Sequence, residues 1–138
     1  MLGKPLSALC AVALIGAPLL STAATFTVTT PAEFQNALTT AQSNGENDTI
    51  NVAGGEYLLA NSGTLTYTAA ATENFGLVIT GDLQADTVLK AENAVPILRI
   101  DSTAVINDGG VNFEIRSLIF SEGNASTPPN EDGGALAI

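Results

Sequence analysis

The sequence predicts an all-β domain that contains one short helix and follows an N-terminal export signal. Three observations support this prediction: an apolar leader, one amphipathic stretch, and many short β-branched segments separated by Gly, Asn, Asp, Ser and Thr. These features predict a signal peptide at 1–24, a cap made of a strand and a helix at 25–46, and a β region at 47–138.

The first 24 residues have the three parts of a secretory signal peptide. Lys4 supplies the positive charge, and residues 6–20 form an apolar run that is too short to span a bilayer as a helix. Small residues at 21–24 favour cleavage after Ala23 or Ala24. Cys10 is removed with this segment, so we expect a mature chain without thiol, disulfide or membrane span.

The chain is acidic, with 14 Asp and Glu against 4 Lys and Arg, and it has no His. Once Lys4 leaves with the leader, Lys90, Arg99 and Arg116 remain, and the net charge becomes −11. Such a surface repels phosphate backbones and anionic lipids, which argues against nucleic-acid binding. The lack of His and of mature Cys removes most metal sites and nucleophilic triads.

One helix is predicted, at 31–43. Thr30 and Pro31 provide an N-cap and a first-turn proline, and Glu33 completes a capping-box pattern. The Asn-Gly pair at 44–45 ends the helix. The predicted apolar face, with positions i, i+3, i+4 and i+7, consists of Phe34, Ala37, Leu38 and Ala41.

Ten short strands are predicted, at 26–29, 48–52, 56–59, 64–68, 76–80, 87–90, 96–100, 111–115, 117–120 and 135–138. No two-residue Asn-Gly or Asp-Gly turn joins alternating strands, and no helix separates the later strands. Neither a hairpin meander nor a βαβ sheet is therefore favoured. The pattern alone leaves open a two-layer sandwich and a solenoid in which each strand pairs with its equivalent one coil later.

Three ordered segments of the chain resemble a known class of proteins. They contain Asp48-Thr49-Ile50, Val52, Gly55 and Tyr57; then Leu77-Val78-Ile79-Thr80-Gly81 and Thr87-Val88-Leu89; then Phe120, Asn124 and Gly133-Gly134-Ala135-Leu136. The first two are similar to the N-terminal cap and early coils of pectate-lyase-like right-handed parallel β-helix proteins. The third is similar to the repeats of polymorphic outer membrane proteins, apart from one extra residue before the Asn and Leu in place of Ile.

This resemblance implies a right-handed parallel β-helix, with the short helix covering the open N-terminal end and apolar strands stacked in ladders. We expect Asn124 to hydrogen-bond its own backbone at a turn, and Gly133-Gly134 to allow positive φ before the next strand. Such arrays need about three repeats or more, and Ile138 lies inside a predicted strand. We therefore expect the sequence to be a fragment of a longer protein.

No catalytic, cofactor-binding or metal-binding residue is assigned from the sequence. The cations Arg99 and Arg116 are interpreted as solvated outward charges rather than as the base of a lyase. Four acidic residues near turns could bind Ca²⁺ between coils, but they lack the spacing of known Ca²⁺ loops. A turn-forming role is therefore favoured for Asp82, Asp86, Asp101 and Asp108.

Two further patterns have ordinary explanations. Glu131 and Asp132 lie together in a Pro- and Asn-rich loop, where solvation accounts for them. Asn47 and Asn124 begin N-glycosylation triplets, which arise often by chance.

Together with the resemblance, the export signal predicts a secreted or outer-membrane surface protein with a structural, adhesive or interaction role. Loop 121–134 would present contacts to host or cell-surface glycans or proteins. The alternative is the N-terminal part of a polysaccharide lyase or a glycoside hydrolase, whose catalytic coils lie beyond Ile138.

Overall fold

The computed structural model of the chain describes residues 23–103, 111–124 and 135–137. Within these ranges the chain forms one α-helix and ten short strands. In chain order the elements are β1 (Thr25–Val28), α1 (Pro31–Ala41), β2 (Asp48–Val52), β3 (Gly55–Leu58), β4 (Leu65–Thr68), β5 (Leu77–Gly81), β6 (Thr87–Lys90), β7 (Leu98–Asp101), β8 (Phe113–Arg116), β9 (Ile119–Ser121) and β10 (Leu136–Ala137).

The strands lie where the β-branched segments predict them, and the bounds of β2 and β6 are the predicted ones. The largest shifts are at the starts of β7, β8 and β9, each of which begins two residues later than expected. For β7 the reason is chemical, because Pro96 has no N–H to donate to a ladder. The ladder with β4 starts at Ile97, the residue directly before β7, whose carbonyl accepts the backbone N–H of Leu65 at 3.0 Å.

The strands form three sheets, and every pairing among the described strands is parallel. Sheet 1 has the order β1-β2-β5-β8, sheet 2 has β3-β6-β9, and sheet 3 has β4-β7-β10. From β2 onward the chain visits the three sheets in turn, so each strand pairs with the one three places later. Because hairpin-built sandwiches pair their strands antiparallel, this pairing excludes the two-layer sandwich for the described residues.

The register of each sheet aligns apolar side chains in rows. In sheet 1, Ile50 is opposite Ile79, which is opposite Ile115. In sheet 3, Leu65 is opposite Leu98. All but Ile115 are at most 2% exposed, and burial of a side chain of this size contributes about 1.5–3 kcal/mol relative to leaving it in water. These rows therefore form the hydrophobic core that fills the space between the sheets.

Helix α1 begins with the predicted N-cap. The Thr30 hydroxyl accepts the backbone N–H of Glu33 at 3.2 Å. The Glu33 carboxylate, however, makes its closest contacts with Thr29, the residue before the N-cap. It accepts from the backbone N–H and the hydroxyl of Thr29, both at 2.8 Å, so this bond forms one residue earlier than predicted.

The helix ends at Ala41, two residues before the predicted end at 43. Gln42 is the C-cap, and its backbone N–H donates to the carbonyl of Leu38 at 3.1 Å. Gly45 follows at φ +73, the left-handed region that glycine adopts without strain. The predicted apolar face is confirmed, because the four buried helix residues are Phe34, Ala37, Leu38 and Ala41.

Two glutamines, Gln35 in α1 and Gln42 at its C-cap, provide hydrogen-bond partners for the outer edge of strand β4. Gln35 donates its side-chain N–H to the carbonyl of Thr66 at 2.9 Å and accepts the backbone N–H of Thr66 at 2.8 Å. Gln42 accepts the N–H of Thr68 with its side chain at 3.3 Å and that of Ala70 with its carbonyl at 2.9 Å. Since β4 is the outer strand of sheet 3, the helix satisfies backbone groups that would otherwise be unpaired.

Candidate functional site

The outer face of sheet 1 presents a row of polar side chains. Thr27, Asn51, Thr80 and Arg116 are paired across β1, β2, β5 and β8. Their sequence neighbours within the strands are more buried, so these four alternate with the core residues. Neighbouring strands are about 4.8 Å apart, so the row repeats a hydroxyl, amide or guanidinium group at that spacing.

A groove lies beside this row, where sheet 1 turns into sheet 2. It has a volume of about 550 Å³. The polar side chains that line it include Thr27, Asn51, Thr80, Asp82 and Gln84, and Leu83 adds an apolar side chain that is 86% exposed. We call this feature the corner groove.

The wall of the corner groove is a turn that Asp82 organises. Its carboxylate accepts the backbone N–H groups of Gln84 at 2.7 Å and Ala85 at 3.2 Å. Its own backbone N–H donates to the hydroxyl of Thr87 at 3.0 Å, and Thr87 is 1% exposed. The exposed Leu83 side chain is therefore carried on a turn that is anchored at both ends.

The corner groove combines polar side chains with a larger apolar lining, and none of the described residues that line it is Lys or Arg. Of the described residues that line it, Asp82 is the one with a titratable side chain. Two cations of the described residues are paired with acids: the Lys90 Nζ is 3.7 Å from the Glu122 Oε1, and Arg116, which is opposite Thr80 in the polar row, forms an ion pair with Glu114 on the same strand. The groove can offer hydroxyl and amide groups to a neutral polar ligand, and its single charge disfavours an anionic one.

The interpretation of the turn acids is confirmed for Asp82 and Asp101. Asp101 accepts from the hydroxyl of Thr103 at 2.7 Å and from its backbone N–H at 3.0 Å. These bonds lower the pKa of Asp101. Asp86 is exposed, and its carbonyl accepts the backbone N–H of Gly55 at 2.8 Å.

Other sequence-predicted residues fall outside the described ranges. They are Asp108, Glu131, Asp132, Gly133 and Gly134, together with most of loop 121–134. Arg99 is exposed, as predicted. Within the described ranges no group of three or more His, Cys, Asp or Glu side chains is placed to hold a metal ion.

The two candidate glycosylation residues have structural roles. The side-chain oxygen of Asn47 accepts the backbone N–H of Gly76 at 2.7 Å. Asn124 was expected to bond its own backbone at a turn, and the residues that follow it, 125–134, lie outside the described ranges. Its side-chain N–H donates to the carbonyl of Asn93 at 2.7 Å. Parallel pairing of β6 with β9 places the turns that follow them side by side, so Asn124 bridges neighbouring turns.

A buried acid pair, Asp48 and Glu73, was not predicted. Asp48 begins β2 and is 3% exposed, while Glu73 lies between β4 and β5 and is 1% exposed. Asp48 accepts the side-chain N–H of Asn44 at 2.9 Å, and the Glu73 Oε2 accepts the backbone N–H of Gly45 at 3.2 Å. Within the described part of the chain, the buried Oε1 of Glu73 has no hydrogen-bond partner.

The electrostatics of the pair reflect burial and like charge. Burial raises the pKa of Asp48, the charges of Glu73 and Glu46 raise it further, and the Asn44 bond opposes the shift. Burial also raises the pKa of Tyr67, with additional contributions from both acids. The sequence contains one indication that Asp48 is buried, because in β2 it shares the inward face with Ile50. No local pattern predicts the burial of Glu73.

Comparison with known proteins gives no relative: no family model, no curated protein and no solved structure matches the chain. Among residues 23–103, 111–124 and 135–137, no helix has both the length and the apolar character that a bilayer crossing requires.

Proposed function

We propose that the chain belongs to an exported right-handed parallel β-helix protein of the cell surface or the extracellular space, and that its corner groove binds a neutral glycan. The single observation that carries this proposal is the polar row beside the groove, in which Thr27, Asn51 and Thr80 face outward at the spacing of parallel strands.

The β-helix part of the proposal is supported by the order of pairing. Three parallel sheets filled in rotation are what a chain winding through three faces produces, and α1 lies against β1, β2 and β4 near the start of that path. A coil of this kind cannot bury its apolar face alone, so it needs a neighbour on each side or a cap. The buried face of α1, with Phe34 and Leu38 at 0% exposure, is suited to that capping role.

The glycan part follows from the chemistry of the groove. Sugar hydroxyls both donate and accept hydrogen bonds, and Asn, Gln and Thr side chains offer both kinds of partner. Leu83 provides an apolar contact for the face of a sugar ring. A net charge of −11 after loss of the leader disfavours uronate-rich polymers, so the expected ligand is neutral.

Affinity gel electrophoresis of the mature chain tests this function. A gel containing neutral galactomannan should retard the protein, and one containing polygalacturonate should not. The double variant Asn51→Ala, Gln84→Ala should lose most of the retardation. Thr68→Ala, an exposed neutral residue on sheet 3, is the matched control and should migrate like the unsubstituted chain. Equal retardation of both variants would remove the corner groove from the proposal.

The enzyme alternative stays a prediction. It places catalytic coils beyond Ile138, so the residues of this chain do not test it. Its discriminating feature is a cluster of Asp with Arg or His on successive coils of the longer protein.

A further inference from the structure

We propose that the buried acid pair, Asp48 and Glu73, binds one Ca²⁺ ion and thereby fastens the loop after α1 to the first strands. This site is separate from the corner groove, and the proposal does not depend on glycan binding.

Two carboxylates that are 3% and 1% exposed are costly to keep ionised without a positive partner. Among the described residues neither acid forms an ion pair with Lys or Arg. Lys90 and Arg116 are paired with other acids, and Arg99 is exposed on β7. The charge of the pair therefore needs compensation that the described side chains do not supply.

A shared proton is a poorer compensation than a cation. The Glu73 Oε1 is buried, and no hydrogen-bond donor of the described residues reaches it. A proton on this oxygen would neutralise one of the two carboxylates and would leave the charge of the other one buried, which is also unfavourable. A cation satisfies the oxygen directly, and one divalent ion neutralises two carboxylates.

The ligand chemistry favours Ca²⁺ over a transition metal. The pair offers carboxylate oxygens, and the described part of the chain contains neither His nor Cys. Ca²⁺ accepts 6–8 oxygen ligands in irregular geometry and commonly uses backbone carbonyls and water beside a few carboxylates. Two carboxylates are thus enough, whereas the compact octahedron of Mg²⁺ is a more demanding fit.

The pair also lies close to solvent, and it lies between segments of the chain that a bound ion would connect. Asn44, Gly45 and Glu46 are half-buried, so one short loop separates the acids from solvent. That loop contacts both acids, through the Asn44 side chain to Asp48 and through the Gly45 N–H to Glu73. A bound ion would tie the end of α1, the start of β2 and the segment before β5 together.

Thermal unfolding of the mature chain at pH 7 is the first test, in EDTA and then in excess CaCl2 or MgCl2. We expect CaCl2 to raise Tm by about 5–10 °C and MgCl2 to raise it much less. Glu73→Gln should be more stable than the unsubstituted chain in EDTA and should lose the response to Ca²⁺. Glu56→Gln, which removes one exposed charge on β3, is the matched control and should keep the response.

Tb³⁺ luminescence excited through tyrosine is the second test and does not require the acid variants to fold. The protein has two Tyr and no Trp, and the charges of both acids contribute to the raised pKa of Tyr67. Emission should appear with Tb³⁺, decline when Ca²⁺ displaces it, and disappear in Tyr67→Phe but not in Tyr57→Phe. A Tm without Ca²⁺ dependence, a Ca²⁺ response retained in Glu73→Gln, or emission that survives Tyr67→Phe would overturn the proposal.

Discussion

Gly81 lies where neighbouring strands of sheet 1 lead into sheet 2, and the backbone there leaves no space for a side chain. A Cβ at this position would be 2.0 Å from the carbonyl oxygen of Ser117 and 3.0 Å from Leu118. The nearest obstacle is backbone, which cannot rotate away as the end of a flexible side chain can. At the residue scale, close stacking of successive turns therefore demands glycine at this position.

Gly81→Ala should destabilise the mature chain by about 1–3 kcal/mol, the usual cost of overpacking. The midpoint of urea unfolding measures the effect. Gly76→Ala is the matched control, because a Cβ at Gly76 would have its nearest neighbour at 3.4 Å and the change should be much smaller. Equal midpoints for the two variants would show that the backbone around Gly81 is not held as closely as described.

At the scale of elements, α1 is held by more than its apolar face. Gln35 and Gln42 are seven residues apart, two helical turns, so both side chains face the edge of β4. Their contacts with Thr66, Thr68 and Ala70 replace the strand that this edge lacks. The helix therefore acts both as an apolar cover and as a hydrogen-bonding partner of the sheet.

Gln35→Ala should lower the free energy of unfolding by about 1–3 kcal/mol, since it leaves the N–H and the carbonyl of Thr66 without their partners. Amide hydrogen exchange at Thr66 should become faster. Asn36→Ala changes the adjacent, exposed helix position and should leave that exchange rate unaltered. Unchanged protection in Gln35→Ala would mean that the side chain is not the partner of this edge.

The N-terminus of α1 should give the protein part of its acid sensitivity. Hydrogen bonds from the backbone and hydroxyl of Thr29 lower the pKa of Glu33 below its ordinary value of about 4.5. The ionised form is thus favoured by folding, and its contribution is present above that ordinary pKa. It is lost as the pH falls through the lower pKa of the folded state.

Glu33→Gln should accordingly be less stable than the unsubstituted chain at pH 6, with a difference in Tm that narrows toward pH 3. Thermal unfolding monitored by circular dichroism over this pH range measures it. Glu56→Gln removes the same charge from β3 and separates the effect of the helix cap from that of net charge. A difference that widens on acidification would contradict the assigned role of Glu33.

At the scale of the whole molecule, the first described strand follows the predicted leader directly. Strand β1 starts at Thr25, and the carbonyl of Ala24 already accepts the backbone N–H of Thr49 at 2.9 Å. Cleavage after Ala23 keeps this hydrogen bond, whereas cleavage after Ala24 removes the carbonyl. Of the two predicted cleavage positions, the first is therefore more compatible with the folded chain.

Expression of the full chain in a bacterial host should yield an exported product whose intact mass corresponds to a first residue of Ala24. Leu14→Arg, which puts a charge into the apolar run of the leader, should leave the uncleaved chain in the cell. Retention of the unsubstituted chain with residues 1–23 attached would exclude the export signal.

The local elements could be predicted from the sequence because their causes are local. Alternating β-branched residues identified the strands, and Thr30, Pro31 and Phe34 identified the start and the buried face of the helix. The contact of the Glu33 carboxylate with Thr29 was predicted less well. This side chain had another partner within reach, and the choice depends on where the neighbouring backbone lies.

Local pattern and composition by themselves therefore determined which segments are strands, which is the helix, and that the chain is acidic. The tertiary structure decided that Ile50 pairs with Ile79, that Gln35 completes the edge of β4, and that Glu73 is buried beside Asp48. The physical reason is distance along the chain. Hydrogen-bond registers and desolvation depend on which remote segments meet, and residues that are neighbours in sequence do not specify that.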